Sequence, residues 1–430
     1  MVLKMRKMKA SGIEWIGEIP EGWETINPKA LFIQRKDRAS KGERQLTSSQ
    51  QYGILYQDEY MELTGSKVVT VEKDFSILKH VEAGDFVISM RSFQGGLEYS
   101  TKSGAISSAY VMLVPNLELV YPRFYRWLLK SSVYIDALQR TTNMVRDGQA
   151  MRYSNFAQVR LFTLPLDEQK SRADFLDVKC SSIDKMLSKT RSSIEEYKKL
   201  KQAVITQAVT KGVRGEREMK DSGVEWIGAI PKDWKIKRLK SFCTIVDCKN
   251  RTPDVFPDGK YTVVRTTCIK DCSFSYEGSY QTDTTNFKAW TLKGQPHKGD
   301  IFFTREAPVG EACLVPNADN LCMGQRVMFF RPEDNSDARY IMYSIYGPLV
   351  REYIASKNSG STVGHLKLGQ VACIPIFYCP PLEQKEIADY LDAKCAEIDR
   401  LIAKKEQLVK ELEGYKKSLI YEVVTGKREV

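Results

Sequence analysis

Histidine is nearly missing from this chain: three residues in 430, His80, His297 and His365. Their scatter argues against metal chemistry built on imidazole ligands. No apolar run reaches the ~18 residues that a membrane span needs. The opening stretch from Met1 to Ala10 is basic and lacks the apolar core of a secretory signal, so a cytoplasmic location is expected. The pattern Gly-x4-Gly-Lys-Ser/Thr does not occur, which excludes ATP hydrolysis by that route. An Asn- or Asp-Pro-Pro-aromatic tetrapeptide is also missing, so no adenine-methyltransferase pocket is expected. Pro253-Asp254 near Asp258-Gly259-Lys260 has the letters of a nuclease motif, but its acids stand too close to surround one metal and the first half has no equivalent. The expectation is a chain with no catalytic residues of its own.

Cysteine is present without the order of a disulfide scaffold. Of ten cysteines, eight fall between Cys243 and Cys379. Cys243-x4-Cys248 and Cys268-x3-Cys272 would supply four thiolates for zinc, yet neither has the tight CxxC spacing. Reduced thiols are the expectation in a cytosolic chain, and no metal site is assigned. Composition is otherwise ordinary for a globular protein, 42% hydrophobic and 28% charged. The length corresponds to roughly two to four domains. A net charge of +11 favours a polyanionic partner.

The dominant feature is duplication. Glu168 to Thr210 reads as one long helix without internal Gly or Pro, and Glu383 to Thr425 repeats it, without a gap, 215 residues later. The copies share Glu168/Glu383, Gln169/Gln384, Leu176/Leu391, Asp177/Asp392, Cys180/Cys395, Ile183/Ile398, Asp184/Asp399 and Thr210/Thr425. A repeat on this scale implies two related halves. Met8 to Trp23 likewise returns as Met219 to Trp234, keeping Ser-Gly, Glu-Trp-Ile-Gly, Ile-Pro and a closing Trp. Trp and Ile favour burial while Gly and Pro enforce turns, so a docked loop is expected. Trp15, Trp23, Trp226 and Trp234 are also candidates for a subunit interface, where Trp is enriched.

Between lead-in and helix each half is mixed. In the first, Lys67–Val71, Asp85–Met90 and Tyr110–Val114 read as β-rich runs, and the turn Gly84-Asp85 opening onto Phe86 matches Gly299-Asp300 opening onto Ile301. Arg123 to Leu138 has helical spacing, with a counterpart from about Ala338 to Ala355. Polar loops follow, Arg140 to Phe156 and Lys357 to Leu368, before a short apolar strand and a proline that starts each long helix. Asp167 and Glu168 suit the positive end of the helix dipole, and Gly212 supplies a stop. The division expected is residues 1–166, lead-in and first globular domain; 167–212, first long helix; 213–380, second lead-in and domain; and 381–430, second long helix.

Both helices carry a heptad seam. Leu176, Cys180, Ile183, Leu187, Ile194, Tyr197, Val204 and Ala208 form it in the first; Leu391, Cys395, Ile398, Ile402, Val409, Leu412, Leu419 and Val423 in the second. A second apolar row, Leu401, Leu408 and Tyr415, widens the face beyond a two-helix contact and is a further candidate for a subunit interface. About 43 residues at 1.5 Å each give a rod of roughly 65 Å, longer than one domain needs. Antiparallel pairing of the two rods, with a globular domain at each end, is the simplest arrangement. The fold class expected is α+β: two globular domains separated by two long antiparallel coiled-coil helices, in a pseudo-twofold internal repeat.

These features together resemble the specificity (S) subunits of type I restriction–modification systems over nearly the whole chain. The resemblance rests on the paired SGIEWIG and SGVEWIG lead-ins, the Pro-Leu-(Asp)-Glu-Gln-Lys helix starts, the helix ends AVTKG and VVTGK, and GDIFFTREAPVGEACLVPN followed by MGQRVMFFRP. One departure is small: the first helix starts from Leu-Pro-Leu-Asp and the second from Pro-Pro-Leu. The resemblance implies that each globular domain is a target-recognition domain reading one half of a split double-stranded DNA sequence. It implies helices that space the halves and dock two modification (M) subunits, which bind S-adenosylmethionine and methylate adenine. Restriction (R) subunits would complete an ATP-dependent nuclease. No cofactor is expected on this chain itself; S-adenosylmethionine, ATP and magnesium belong to the partners. The rival readings are a stand-alone DNA-modifying or DNA-cleaving enzyme and a coiled-coil scaffold without a nucleic-acid role.

Reading DNA requires side chains that reach base edges from loops. Candidates in the first domain are Arg91, Gln94, Arg146, Gln149, Arg152 and Tyr153. In the second they are Arg265, Thr266, Arg305, Glu306, Lys357, Asn358 and His365. Arg can fork onto guanine and Gln can pair with adenine. Solvated surface charge and phosphate contact are the alternatives for each basic residue.

Overall fold

The structure is a computed structural model and describes residues 6–71, 75–90, 92–141, 151–358 and 364–430. The chain divides into two compact units: Met1–Arg191 with Gln407–Val430, and Ser192–Glu406. Each unit thus contains one globular domain and a stretch of both long helices.

In the first unit a four-stranded antiparallel sheet has the order Phe32–Arg35, Val111–Pro115, Phe86–Ile88, Glu98–Tyr99. Alternate side chains on a strand point to opposite faces. Phe86, Ile88, Val111 and Leu113 enter one core with the helices Pro122–Leu128 and Ser132–Arg140, while Val87 and Met112 join Leu46, Ile54, Val81 and Ile106 in another. Both faces are therefore covered, which is why the sequence shows continuous apolar runs there rather than alternation.

The second unit repeats this order: Cys243–Val246, Val327–Pro332, Ile301–Arg305, Val309–Leu314, again antiparallel throughout. Ile301, Phe303, Met328 and Phe330 face the core that holds the helices Ala338–Ile345 and Pro348–Asn358. Phe302, Val327 and Phe329 face a smaller core on the other side. The Gly-Asp turns behave alike. Gly84 and Gly299 sit at φ +105 and +95, a region that favours glycine, and the following Asp85 and Asp300 each accept a backbone N–H and an arginine. The arginine differs in origin: Arg35 from the sheet's edge strand in one unit, Arg331 from its neighbour in the other.

Local expectations fare unevenly. Each lead-in is a small hairpin rather than a bare loop, Met8–Ala10 pairing with Glu18–Pro20 and Met219–Asp221 with Ala229–Pro231. Lys67–Val71 is not a strand despite its valines, and Val69 is 88% exposed. Its backbone finds a side chain instead of a neighbouring strand: the Gln45 amide donates to the Val71 carbonyl at 2.7 Å and accepts from its N–H at 2.9 Å. The end of the loop Arg140–Phe156 is helical, from Tyr153 to Gln158.

The long helices run Leu166–Lys211 and Pro381–Val424 and pack together. Asp167 and Glu168 lie in the first turn of one, and Gly212 ends it at φ +76. In the first unit Lys416 reaches Asp184 at 2.6 Å; in the second Lys201 reaches Asp399 at 2.7 Å. These are equivalent residues with their roles exchanged, the reciprocity expected of antiparallel twofold pairing. Leu176, Cys180, Ile183, Leu187, Leu391, Cys395, Ile398, Leu419 and Val423 are buried along the seam. Near the end of the first helix the buried face shifts: Val204 is half-buried while Ile205, Ala208 and Val209 enter the second unit's core with Trp234, Tyr340 and Ile376. A straight helix drifts against a seven-residue repeat, and here the domain takes over as the packing surface.

Each domain is fastened to its helix by the same polar contacts. Tyr125 donates to the Phe162 carbonyl and Tyr340 to that of Phe377. Gln169 accepts the Tyr121 N–H and donates to the Leu164 carbonyl; Gln384 does the same with Asp337 and Cys379. Among the described residues no helix is long and apolar enough to cross a membrane.

Candidate nucleic-acid interface

In the first domain Arg91, Arg146 and Gln149 lie outside the described residues. Gln94 is exposed on the short helix Ser92–Gly95, and Arg152 is exposed just before Tyr153–Gln158. Tyr153 is half-buried. Its ring stacks on Phe156, its hydroxyl donates to the Phe32 carbonyl at 3.2 Å, and burial pushes its phenol above the ordinary value. It packs against the domain's core.

The second domain brings several candidates together at the end of the strand Ile301–Arg305. Glu306 pairs with Arg326 at 3.1 Å and lies 3.6 Å from His365 Nδ1. Asn358 Oδ1 accepts the His365 N–H, and the Leu366 N–H donates to the Arg305 carbonyl. Ala307 and Arg326, at φ +49 and +76, carry left-handed backbone beside this network, a strain that persists only where surroundings hold it. Lys357 is exposed, its ammonium 5.4 Å from the Tyr353 ring. Arg265 is exposed and Thr266 half-buried on a separate turn, Thr266–Cys268.

Arg305 is held within the domain. Its side chain is only 12% exposed, and Nη1 donates to both Asp247 oxygens at 3.0 and 3.1 Å. Nη2 reaches Asn250 Oδ1 at 3.3 Å. In this structure the guanidinium serves that carboxylate. What Arg305 does is fasten the segment Asp247–Arg251 to the sheet, aided by Gln325, whose amide donates to the Asn250 carbonyl at 3.1 Å.

That segment was missed in the sequence. It projects Lys249 and Arg251, whose charged groups lie 4.8 and 5.4 Å from the Trp290 ring. Trp290 Nε1 donates to the Arg251 carbonyl at 3.1 Å. The legible signal was the Lys-Asn-Arg run itself, between a strand and a proline; the indole that orders it stands 39 residues further on.

The aromatic interface candidates separate. Trp23 and Trp234 are fully buried, Trp23 stacked on Phe162 and donating to Glu168. Trp15 is half-buried, edge-on to Tyr134 and donating to the Arg160 carbonyl. Trp226, its equivalent, is 62% exposed. Leu401 is half-buried, and Leu408 and Tyr415 are exposed on the helix that carries them.

Among the described residues no group of His, Cys, Asp or Glu is arranged to hold a metal. Cys243 lies in the larger core of its unit, Cys248 and Cys268 in the smaller. Burial pushes the Cys248 and Cys268 thiols up, and those of Cys313 and Cys322 up to about 12, which suits packed thiols rather than reactive ones.

Residues 231–411 match the family model described as the type I restriction modification DNA specificity domain. Two proteins of Methanocaldococcus jannaschii are similar over almost their entire lengths. The type I restriction enzyme MjaVIII specificity subunit is 24% identical over 95% of this chain and 93% of its own, and the putative MjaX specificity subunit 22% over 96% and 95%. Over nearly its whole length the chain is similar to specificity subunits of type I restriction–modification systems, whose specificity domain its residues 231–411 match. Such subunits are non-catalytic components of the system, and the α+β fold agrees with solved structures. One, from work on complex assembly and conformational transition of the type I R-M system, aligns with a TM-score of 0.69 at 15% identity over 95% of this chain and 99% of that one. The HsdS subunit of Thermoanaerobacter tengcongensis aligns at 0.50, also at 15% identity, over 95% and 98%. The chain has two sheets of one strand order and two long helices.

Proposed function

We propose that each β-rich domain of this specificity subunit reads one half of a bipartite double-stranded DNA site, with the two long helices setting the interval between the halves. The carrying observation is the duplication at every level: one strand order in both sheets, and a Lys–Asp pair that recurs with exchanged helices. A helix of 46 residues is about 69 Å long at 1.5 Å per residue, close to two turns of B-DNA at ~34 Å each. Two methyltransferase (M) subunits dock on the helices, where Leu408 and Tyr415 leave apolar surface uncovered. Trp15 and Trp226 are retained as further interface residues. S-adenosylmethionine, ATP and magnesium are carried by the M subunits and by the restriction (R) subunits that join them.

The direct test removes one heptad from each helix, paired so that the seam stays in register. The gap between methylated half-sites, mapped by sequencing modified adenines in host DNA, should shrink by about 10 Å, or roughly three base pairs. An unchanged gap would show that the helices are not the ruler. Replacing residues 25–166 by the matching segment of a relative should change one half-site and leave the other.

A further inference from the structure

The edge of the second domain carries two unneutralised cations held in fixed positions, and this points to one class of ligand. Two acids nearby, Asp247 and Glu306, are ion-paired to Arg305 and Arg326. Lys249 and Arg251 have no ion-pair partner among the described residues; what each has is the face of Trp290. A cation over an aromatic ring keeps its charge and loses its freedom, so part of the entropic cost of binding is met in advance. The segment that carries them has no regular structure, yet Arg305, Gln325 and Trp290 each bond it, two of them through the backbone carbonyls of Asn250 and Arg251. Irregular backbone fastened this firmly, with Arg251 exposed and Lys249 half-buried beside it, suits a row of phosphates.

We propose that Lys249 and Arg251, ordered by Trp290, make the second domain's phosphate contacts with duplex DNA, and that Arg305 is the positioning residue that holds their segment to the sheet. This deepens the reading of the chain as a DNA-specificity subunit and rests on it. An acidic peptide would also seek positive charge, but the surplus of +11 over the whole chain favours the longer polyanion.

The test measures affinity of the full chain for a random-sequence 40-base-pair duplex as a function of sodium chloride. Each lost phosphate contact lowers the slope of log K against log salt by about 0.9. The variant Lys249→Ala/Arg251→Ala should therefore lose about 1.8 from the slope, which makes its fall in affinity between 50 and 200 mM salt about 12-fold smaller than that of the parent. Lys179→Ala/Lys189→Ala, two exposed lysines on the first long helix, removes the same charge and should leave the slope unchanged. Arg305→Ala should lower the slope although it touches no phosphate, and Arg305→Lys, which can still reach Asp247, should restore it. A steep parental slope with an unchanged Lys249/Arg251 variant would overturn this proposal alone, as would an equal loss in the helix control. A parental chain with no salt-dependent DNA binding would overturn the DNA reading itself.

Discussion

Arg172 is the place where the two halves of the repeat solve one packing problem differently, and it permits a sharp test. Its side chain is 1% exposed and donates to Glu168 at 2.7 Å and to the carbonyls of Val423 and Arg428 at 2.8 and 2.9 Å. Its guanidinium lies 5.0 Å from the Trp23 ring. In the second half the equivalent position is Ile387, fully buried, and there Glu383 relies on Arg217 and Arg214. Breaking a buried ion pair by removing one partner costs about 3–5 kcal/mol. Glu168 keeps Arg6 and the Trp23 N–H, so Arg172→Ala should cost about 3 kcal/mol, near the low end. Arg172→Ile copies the solution of the other half and refills the volume, which should bring the cost to roughly 1–2 kcal/mol. Native-state hydrogen exchange provides the assay, because it reads local opening. Amides of Leu176–Ile183 should lose about a hundredfold in protection in the Ala variant, and those of Leu391–Ile398 should not change. Equal damage from Ala and Ile, or equal loss in both segments, would refute the claim that Arg172 acts as a local, replaceable brace.

Acid should act on the same place. Burial alone would raise the Glu168 carboxyl, but hydrogen bonds from Arg6 and Arg172 outweigh it and hold the group at about 2. A depressed carboxylate stabilises above its unfolded value of ~4.5 and loses that contribution as pH falls towards 2, here roughly 3 kcal/mol, which Glu168→Gln should remove from a urea-denaturation series against pH. His80 should behave in the opposite sense. Burial favours its neutral form, yet Glu43 and Glu82, each 2.9 Å from a ring nitrogen, leave its pKa raised. Its contribution is complete below ~6.5 and is lost as pH rises through the raised value, so exchange at Lys79–Val81 should quicken beyond the intrinsic rate as pH rises above ~6.5, and His80→Gln should abolish that extra change. For the helix pairing, Lys201→Glu should destabilise and Lys201→Glu/Asp399→Lys should recover about 0.5–1 kcal/mol of coupling in thermal melts, with no recovery if the antiparallel register is wrong.

How far the sequence could be read depends on whether a signal is carried by repeated letters or by a partner elsewhere in the chain. The Gly-Asp turns, the helix stops and the Lys201/Lys416 and Asp184/Asp399 positions are repeated letters, and all reappear as repeated geometry. The tie that holds Arg305 was illegible, because its partner Asp247 stands 58 residues earlier in the chain. Lys67–Val71 has strand propensity, but propensity cannot supply a neighbour, and the Gln45 amide bonds its backbone instead. Even repeated letters mislead where the docking surface itself is not repeated. Trp15 and Trp226 sit in nearly identical motifs, yet the first packs edge-on to Tyr134, the third residue of the helix Ser132–Arg140, where the helix Pro348–Asn358 has Val350. With a smaller, non-aromatic side chain in that position, Trp226 stays exposed, so the two lead-ins offer a partner unequal surfaces. A Trp226→Ala change should therefore weaken association with a partner subunit at little cost to stability, whereas Trp15→Ala should cost about 1–2 kcal/mol of fold stability through its lost ring contact and hydrogen bond. If both variants lowered the melting temperature equally, the difference in burial would not exist in solution, and the argument from Val350 would fail.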